Sequence, residues 1–527
     1  MRNLHLAGRS PVMATNAMVA SSMPQASLAA IEILKAGGNA VDAAIAANAV
    51  LAVVEPQSTG IGGDCFCLYQ KAGSTEVIAV NGSGRAPAGA SPEALEALGV
   101  TALDPLSAHS VTIPGALSAW ALLSQSHGRK SLADLLQPAI TYAEGGYVVA
   151  PRVALDWAEA EPRLQRHDAK PFLVAGKAPG AGQLMSNPDL AHVLRRIAAE
   201  GVAAFYTGEI AEKLVAGLRA QGGVHTVEDF AEGMTAAEFV DPITGCFAGH
   251  DIWECPPNGS GVTALLLMGI MDGFAPEADP LAPLRLHRAI EAARLAYRDR
   301  NAFVADPRFG DVPVAELLSP AYHAGLRALI RDDARMGRLP EAGTAHKDTV
   351  YVSVVDADGN VCSFINSIFQ GFGSGIVPEG TGVVLQNRGF GFTLEAGHPN
   401  QLAPGKRPMH TIMPSLATRN GRPEIVFGVM GGHFQPMGQA WVIDNMLRYG
   451  MDPQAALDLP RLFVQNDRIE LEEGISAEAD AFLQSLGHMT ARIGVPHGGG
   501  QAIRIDHDRG ILIGGSDPRK DGCALGY

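Results

Sequence analysis

Three observations predict an α+β fold for this chain of 527 residues. Its earlier part carries Ala-rich stretches with apolar residues at helical spacing. After about residue 348 the character changes to β-branched runs separated by tight turns. No repeat, low-complexity tract or linker divides the two parts, so they read as layers of one core and a single 1–527 domain is expected.

The elements follow in order. SLAAIEILKA (27–36) is an amphipathic helix stopped by Gly37-Gly38. Asn39-Ala40-Val41-Asp42 opens a second helix, which runs to about Val53 and ends at Glu55-Pro56. A Gly-rich turn from Ser58 to Asp64 precedes a short strand over 65–69, where Cys65 and Cys67 alternate. Residues 116–220 read as mostly helical, and LRLHRAIEAARLAYRDRNAFV (284–304) is a long helix. Residues 332–347 are polar and aperiodic, an exposed segment. VYVSVV (350–355) and VCSFI (361–365) flank Asp356-Ala357-Asp358-Gly359-Asn360, which predicts a hairpin. Further strands are expected at 383–386, 411–417, 424–429, 501–506 and 511–514, with a helix at about 437–449.

Composition narrows the function. Apolar residues make up 47% and charged residues 18%, with 61 Gly and 34 Pro, as in a globular chain rich in tight turns. A net charge of −15 repels phosphate backbones and anionic lipid, so neither nucleic acid nor a membrane is an expected partner. The N-terminus lacks an apolar run of signal-peptide type, and residues 40–54 contain Asp42 and Asn48 and are too short to span a bilayer. Six scattered cysteines without a CxxC pattern suggest a reduced, cytoplasmic protein. His497-Gly498-Gly499-Gly500 imitates a lipase oxyanion loop, but no G-x-S-x-G elbow accompanies it. With no nucleotide-binding glycine motif and no spaced histidine set, no cofactor or metal is expected.

The informative stretch is Asp348-Thr349-Val350-Tyr351-Val352, where a hydroxyl residue stands at the point where a polar segment becomes a buried strand. An N-terminal nucleophile needs this placement. Once the preceding peptide bond is cut, Thr349 Oγ attacks and its own α-amine takes the proton; such an amine titrates at about 7.7–8.0. On spacing alone, a threonine that merely starts a strand is the better reading.

Nine segments, in order, resemble the γ-glutamyltranspeptidase family of N-terminal-nucleophile hydrolases. They are MVASSMPQASLAAIEILKAGGNAVDAA (18–44), VEPQSTGIGGDCF (54–66), LLQPAITYAEGGY (135–147), FYTGEIAEKL (205–214), DTVYVSVVDADGN (348–360), GFGSGIV (371–377), PGKRPMHTIMPSL (404–416), VMGGHFQ (429–435) and GGSDPRKDGCALGY (514–527). The resemblance implies a four-layer αββα sandwich made as a proenzyme. Self-cleavage between Asp348 and Thr349 would leave a large chain, 1–348, and a small chain, 349–527. These remain together as a heterodimer, with further dimerisation left open. It also implies Thr349 as nucleophile, Ser367 as a hydroxyl hydrogen-bonded to it, and the amides of Gly431 and Gly432 as part of the oxyanion hole.

The departures bear on substrate. Where the family has a carboxylate-binding arginine this chain has Ser83, with Arg85 two places later. Phe369 replaces an ammonium-binding asparagine, Gly391 its acidic partner, Arg388 a glutamine, and His410-Thr411 paired serines. A pocket that loses an acid and gains positive charge is expected to reject γ-glutamyl groups. It would favour an anionic amide without an amine, bound by Arg388, Arg85, His410 and Thr411. SIFQGFGSGIVPEGTG (367–382) and LQNRGFGF (385–392) resemble the oxamate amidohydrolase branch, which acts in purine (allantoin) breakdown. The rivals are a cephalosporin or glutaryl-type acylase, a γ-glutamyl hydrolase or transpeptidase, and an unprocessed binding protein.

Overall fold

A computed structural model describes residues 8–339, 348–465 and 467–527. Two seven-stranded sheets are built entirely from antiparallel pairs. One runs, edge to edge, through Cys523–Gly526, Met18–Ser21, Val350–Val355, Val361–Ser367, Asp64–Gln70, Val77–Gly82 and Glu238–Val240. The other runs through Val12–Ala14, Ile511–Ser516, Gly499–Asp506, Arg422–Met430, Ser415–Arg419, His250–Glu254 and Ile243–Phe247.

Period-two patterning stacks these sheets face to face. Along Val350–Val355, Tyr351 and Val355 join Phe66, Leu68, Ile365, Leu416, Val426 and Ile503 in a core between the sheets. Val350, Val352 and Val354 point the other way, into a core shared with the helices Pro24–Lys35, Ala40–Val54 and Ala116–His127. A third core packs Gly261–Asp272, Pro283–Phe303 and Gln435–Leu447 on the outer face of the second sheet. The layers are therefore α, β, β, α, the α+β sandwich that the resemblance implies.

Ala40–Val54 shows why the sequence folds this way. Every residue in it is buried, because it lies between Pro24–Lys35, Leu132–Gly145 and the strand Val350–Val355. The amides at its start, which have no partner within the helix, are met by a capping box, Asn39 with Asp42. At the inter-sheet face Gly428 lies under Tyr351, and a Cβ there would come within 2.5 Å of the ring.

The hairpin and the long helix form as expected, over Val350–Val355 with Val361–Ser367 and over Pro283–Phe303. Two expected strands need correction. Residues 383–386 form no strand, because the amides of Leu385 and Gln386 go to Ile376 and Gly62 carbonyls in neighbouring loops. The expected 411–417 strand begins only at Ser415, since Ile412 N–H donates to His410 Nδ1 and Met413 N–H to Gln435 Oε1. Of the segment expected to be exposed at 332–347, residues 340–347 lie outside the described residues. Just before them the backbone is held by the long helix. Glu291 Oε2 accepts from Met336 N–H at 2.7 Å, and Arg294 donates to the Met336 and Gly337 carbonyls.

Candidate active site

Sheet register assembles the site. Val350 pairs with Asn366 and Ser367 pairs with Asp64, so three adjacent strands deliver Thr349, Ser367 and Asp64 to one end of the sheet. Thr349 Oγ donates to Ser367 Oγ at 3.0 Å, and both residues are buried. Thr349 has φ 129°, a conformation that a β-branched residue resists. Ser367 Oγ also accepts from Phe369 N–H at 2.9 Å and from Arg388 Nη2 at 3.3 Å.

On the other sheet, Arg422–Met430 runs into Gly431 and Gly432, with φ 133° and 56°, and then into the helix Gln435–Leu447. Phe434 N–H donates back to the Gly431 carbonyl at 3.1 Å and closes the turn. Both φ values lie where glycine is at ease and side chains are not.

Arg388 is completely buried in a short 3-10 turn, Arg388–Gly391. Its Nη1 donates to Thr411 Oγ1 at 2.8 Å, and its guanidinium carbon lies 4.1 Å from the centre of the Phe369 ring. Its Nε has no partner, and no carboxylate among the described residues pairs with it. Burial lowers its pKa to about 9, with Asp64 opposing the shift.

His410 and Arg85 are placed differently from the expected anion contacts. His410 Nε2 donates to Asp64 Oδ2 at 3.0 Å and its Nδ1 accepts from Ile412 N–H, so both ring nitrogens have internal partners. This pattern requires a neutral imidazole. Burial, then the charge of Arg388, hold its pKa down to about 4 despite the carboxylate. Arg85 donates to the Gly405 carbonyl and reaches Glu238 at 3.7 Å and Asp306 at 3.9 Å, in a cavity of about 520 Å³ that Thr349 does not line. Of the four residues expected to bind substrate, the structure joins Arg388 and Thr411 to the Thr349–Ser367 pair.

Asp64 is the member that sequence reasoning missed. Its Oδ1 accepts from Gly84 N–H, Gly115 N–H and Gln386 Nε2, and its Oδ2 from His410. The one available signal was an acid closing the Gly-rich turn before a fully apolar strand. Asp348 is buried as well, and burial, with Asp156 adding to it, raises its carboxyl to about 7.

Stacked antiparallel sheets between helical layers, with a threonine hydroxyl at the start of a central strand, define the fold of the N-terminal-nucleophile hydrolases. A family model described as gamma-glutamyltranspeptidase matches residues 26–527, and the chain belongs to that family, a group of hydrolases of carbon–nitrogen bonds. It is 35% identical over 530 residues to the glutathione hydrolase-like YwrD proenzyme of Bacillus subtilis, covering 98% of this chain and 99% of that one. It is equally 35% identical to the oxamate amidohydrolase proenzyme of Klebsiella pneumoniae, over 532 residues and the same shares of each. Among solved structures, the cephalosporin acylase from Bacillus halodurans matches with a TM-score of 0.92 at 39% identity, covering 100% of this chain and 98% of that one. No described helix is long and apolar enough to cross a membrane.

Proposed function

We propose that the protein is a self-processing cytoplasmic amidohydrolase that cuts between Asp348 and Thr349. Its mature Thr349 would hydrolyse a small anionic amide lacking an amino group, with oxamate as the candidate. In maturation Thr349 Oγ attacks the Asp348 carbonyl, the C–N bond breaks, and water hydrolyses the resulting ester. This releases residues 1–348 from 349–527, the two remaining associated. The positive φ of Thr349 supports this step, because cutting relieves it. In turnover Thr349 Oγ adds to the amide carbonyl while its α-amine takes the proton and passes it to the leaving nitrogen. Gly431 and Gly432 amides stabilise the oxyanion, ammonia departs, and water hydrolyses the acyl-threonine to the acid.

The observation that carries the substrate reading is the buried Arg388 guanidinium without a carboxylate beside Ser367 and Thr411. A carboxylate on the substrate supplies the missing counter-ion, and the reading gives an amino group no acid to bind, since Gly391 stands where the family has one. The likeness to a cephalosporin acylase favours a second reading, an acylase for larger carboxylate-bearing amides. Ammonia or amine release from oxamate, glutamine, glutathione and glutaryl amides separates these. Oxamate turnover is expected, and its absence beside glutaryl-amide turnover selects the acylase. Thr349→Ala should leave a single uncut band on a denaturing gel and no activity, whereas Thr349→Ser retains some of both. Wild-type turnover by Thr349→Ala would place the nucleophile elsewhere.

A further inference from the structure

We propose that Tyr297 and Arg300 of the Pro283–Phe303 helix are positioning residues that fix the diglycine turn for catalysis, acting through His433. The proposal rests on the reading of Thr349 as nucleophile and of the diglycine amides as oxyanion donors. His433 directly follows Gly432 and is held at two points. Tyr297 O–H donates to its carbonyl at 2.5 Å, and Arg300 Nη1 donates to its Nδ1 at 2.9 Å. Tyr297 and Arg300 stand three residues apart, hence on one helix face, and both are buried. Arg300 lies 4.8 Å from the centre of the Tyr297 ring and grips Asn301 Oδ1 through Nε and Nη2, so its own orientation is set.

A turn of two glycines has no side chains to hold its shape, and both glycines here are at positive φ. Oxyanion donors act only when held to within a few tenths of an ångström of the developing charge. The turn is closed from within by Phe434 N–H to the Gly431 carbonyl, and from outside by the two helix residues. The same imidazole meets the edge of Phe369 at a centroid distance of 6.2 Å and an angle of 83°, and Phe369 in turn lies against Arg388. His433 thus couples the oxyanion turn to the wall of the anion pocket. An accepting Nδ1 makes His433 the neutral Nε2–H tautomer, so the imidazole itself adds no charge to the site.

Tyr297→Phe and Arg300→Lys test this in the processed full-length protein, on whichever amide the substrate screen identifies. Deleting an oxyanion donor costs about 10²–10³ in kcat, so loosening the turn should cost less, about 5- to 50-fold. KM should stay within about twofold, because the effect lies in the transition state, and the lost buried hydrogen bond should lower the melting temperature by no more than a few degrees. Affinity for a small anionic boronic acid, which forms a tetrahedral adduct with Thr349 Oγ, should fall in parallel with kcat, while affinity for the product acid should not. Tyr297→Phe keeps the ring and removes one oxygen, so it decides the matter if Arg300→Lys does not fold. Wild-type kcat and boronate affinity in Tyr297→Phe overturn the proposal, as do losses of kcat, KM and melting temperature together, which would mean packing only. Thr349→Ala run alongside separates the two layers of inference. If it is inactive while Tyr297→Phe matches wild type, only the positioning role fails; if it is active, the nucleophile reading itself fails.

Discussion

Arg388 illustrates how much one side chain decides. Its guanidinium has left water and found two hydroxyls and a ring face, but no anion, and its pKa of about 9 still leaves it charged at neutral pH. Charge-assisted hydrogen bonds to a substrate carboxylate are worth about 1.5–3 kcal/mol each. Arg388→Gln should therefore lower kcat/KM for an anionic amide by about ten- to a hundredfold. Arg388→Lys should recover only part, since it keeps the charge and loses the planar fork. Self-cleavage should proceed in both variants, which a gel reads directly. Unchanged turnover in fully processed Arg388→Gln would make this arginine structural. Sequence offered Arg388 first, as the charge gained in place of a glutamine, and Arg85 and His410 behind it. Contacts distinguish them, because Arg85 is answered by Glu238 and Asp306 and His410 by Asp64.

At the scale of elements, the hairpin was legible because β-branched runs with period two have one stable reading when both faces are covered. Its register then fixes Thr349 beside Ser367 without further help. Segments 383–386 and 411–414 misled because an apolar composition reports burial, not where the amides find partners. The two sheets approach closely at Gly428, where an added methyl would press on the Tyr351 ring near the start of the nucleophile strand. Gly428→Ala should cost about 1–3 kcal/mol, seen as a lower melting temperature. It should also reduce kcat, since Tyr351 lies two residues from Thr349. Neither effect is expected of Gly310→Ala, at an exposed position outside the left-handed region, where an added Cβ would meet nothing within 4 Å.

The whole molecule gathers charges that no local stretch contains. Lys520 Nζ lies 3.4 Å from Asp156 Oδ2 and 3.9 Å from Glu55 Oε1, all three buried. Asp348 feels this group: after burial itself, Asp156 raises its carboxyl, and Lys520 and Arg163 oppose the rise. A folded pKa of about 7, against an ordinary 3.8, means that between those values the unfolded chain gives up a proton the folded chain keeps. This contribution is fully present below about pH 4, declines as pH rises and is lost above about 7, with a slope of at most roughly 1.4 kcal/mol per pH unit. The uncut Thr349→Ala protein should show it as a falling melting temperature between pH 4 and 7. Adding Asp348→Asn should flatten that part of the fall. Parallel pH profiles for the two proteins would show that Asp348 ionises freely.

By itself the sequence determined the α+β class, the succession of a helix-rich and a strand-rich part along the chain, and Thr349 at the start of its strand, because hydrophobic period and turn chemistry act over neighbouring residues. Only tertiary structure decided that Asp64 holds His410, 346 residues away, and acts on Arg388 only from a distance, and that Arg388 lies beside Ser367 with no carboxylate in contact. Those outcomes depend on which strand ends meet at one edge of a sheet. Charge at a point is set by everything packed within a few ångströms of it, and along this chain those neighbours come from segments hundreds of residues apart.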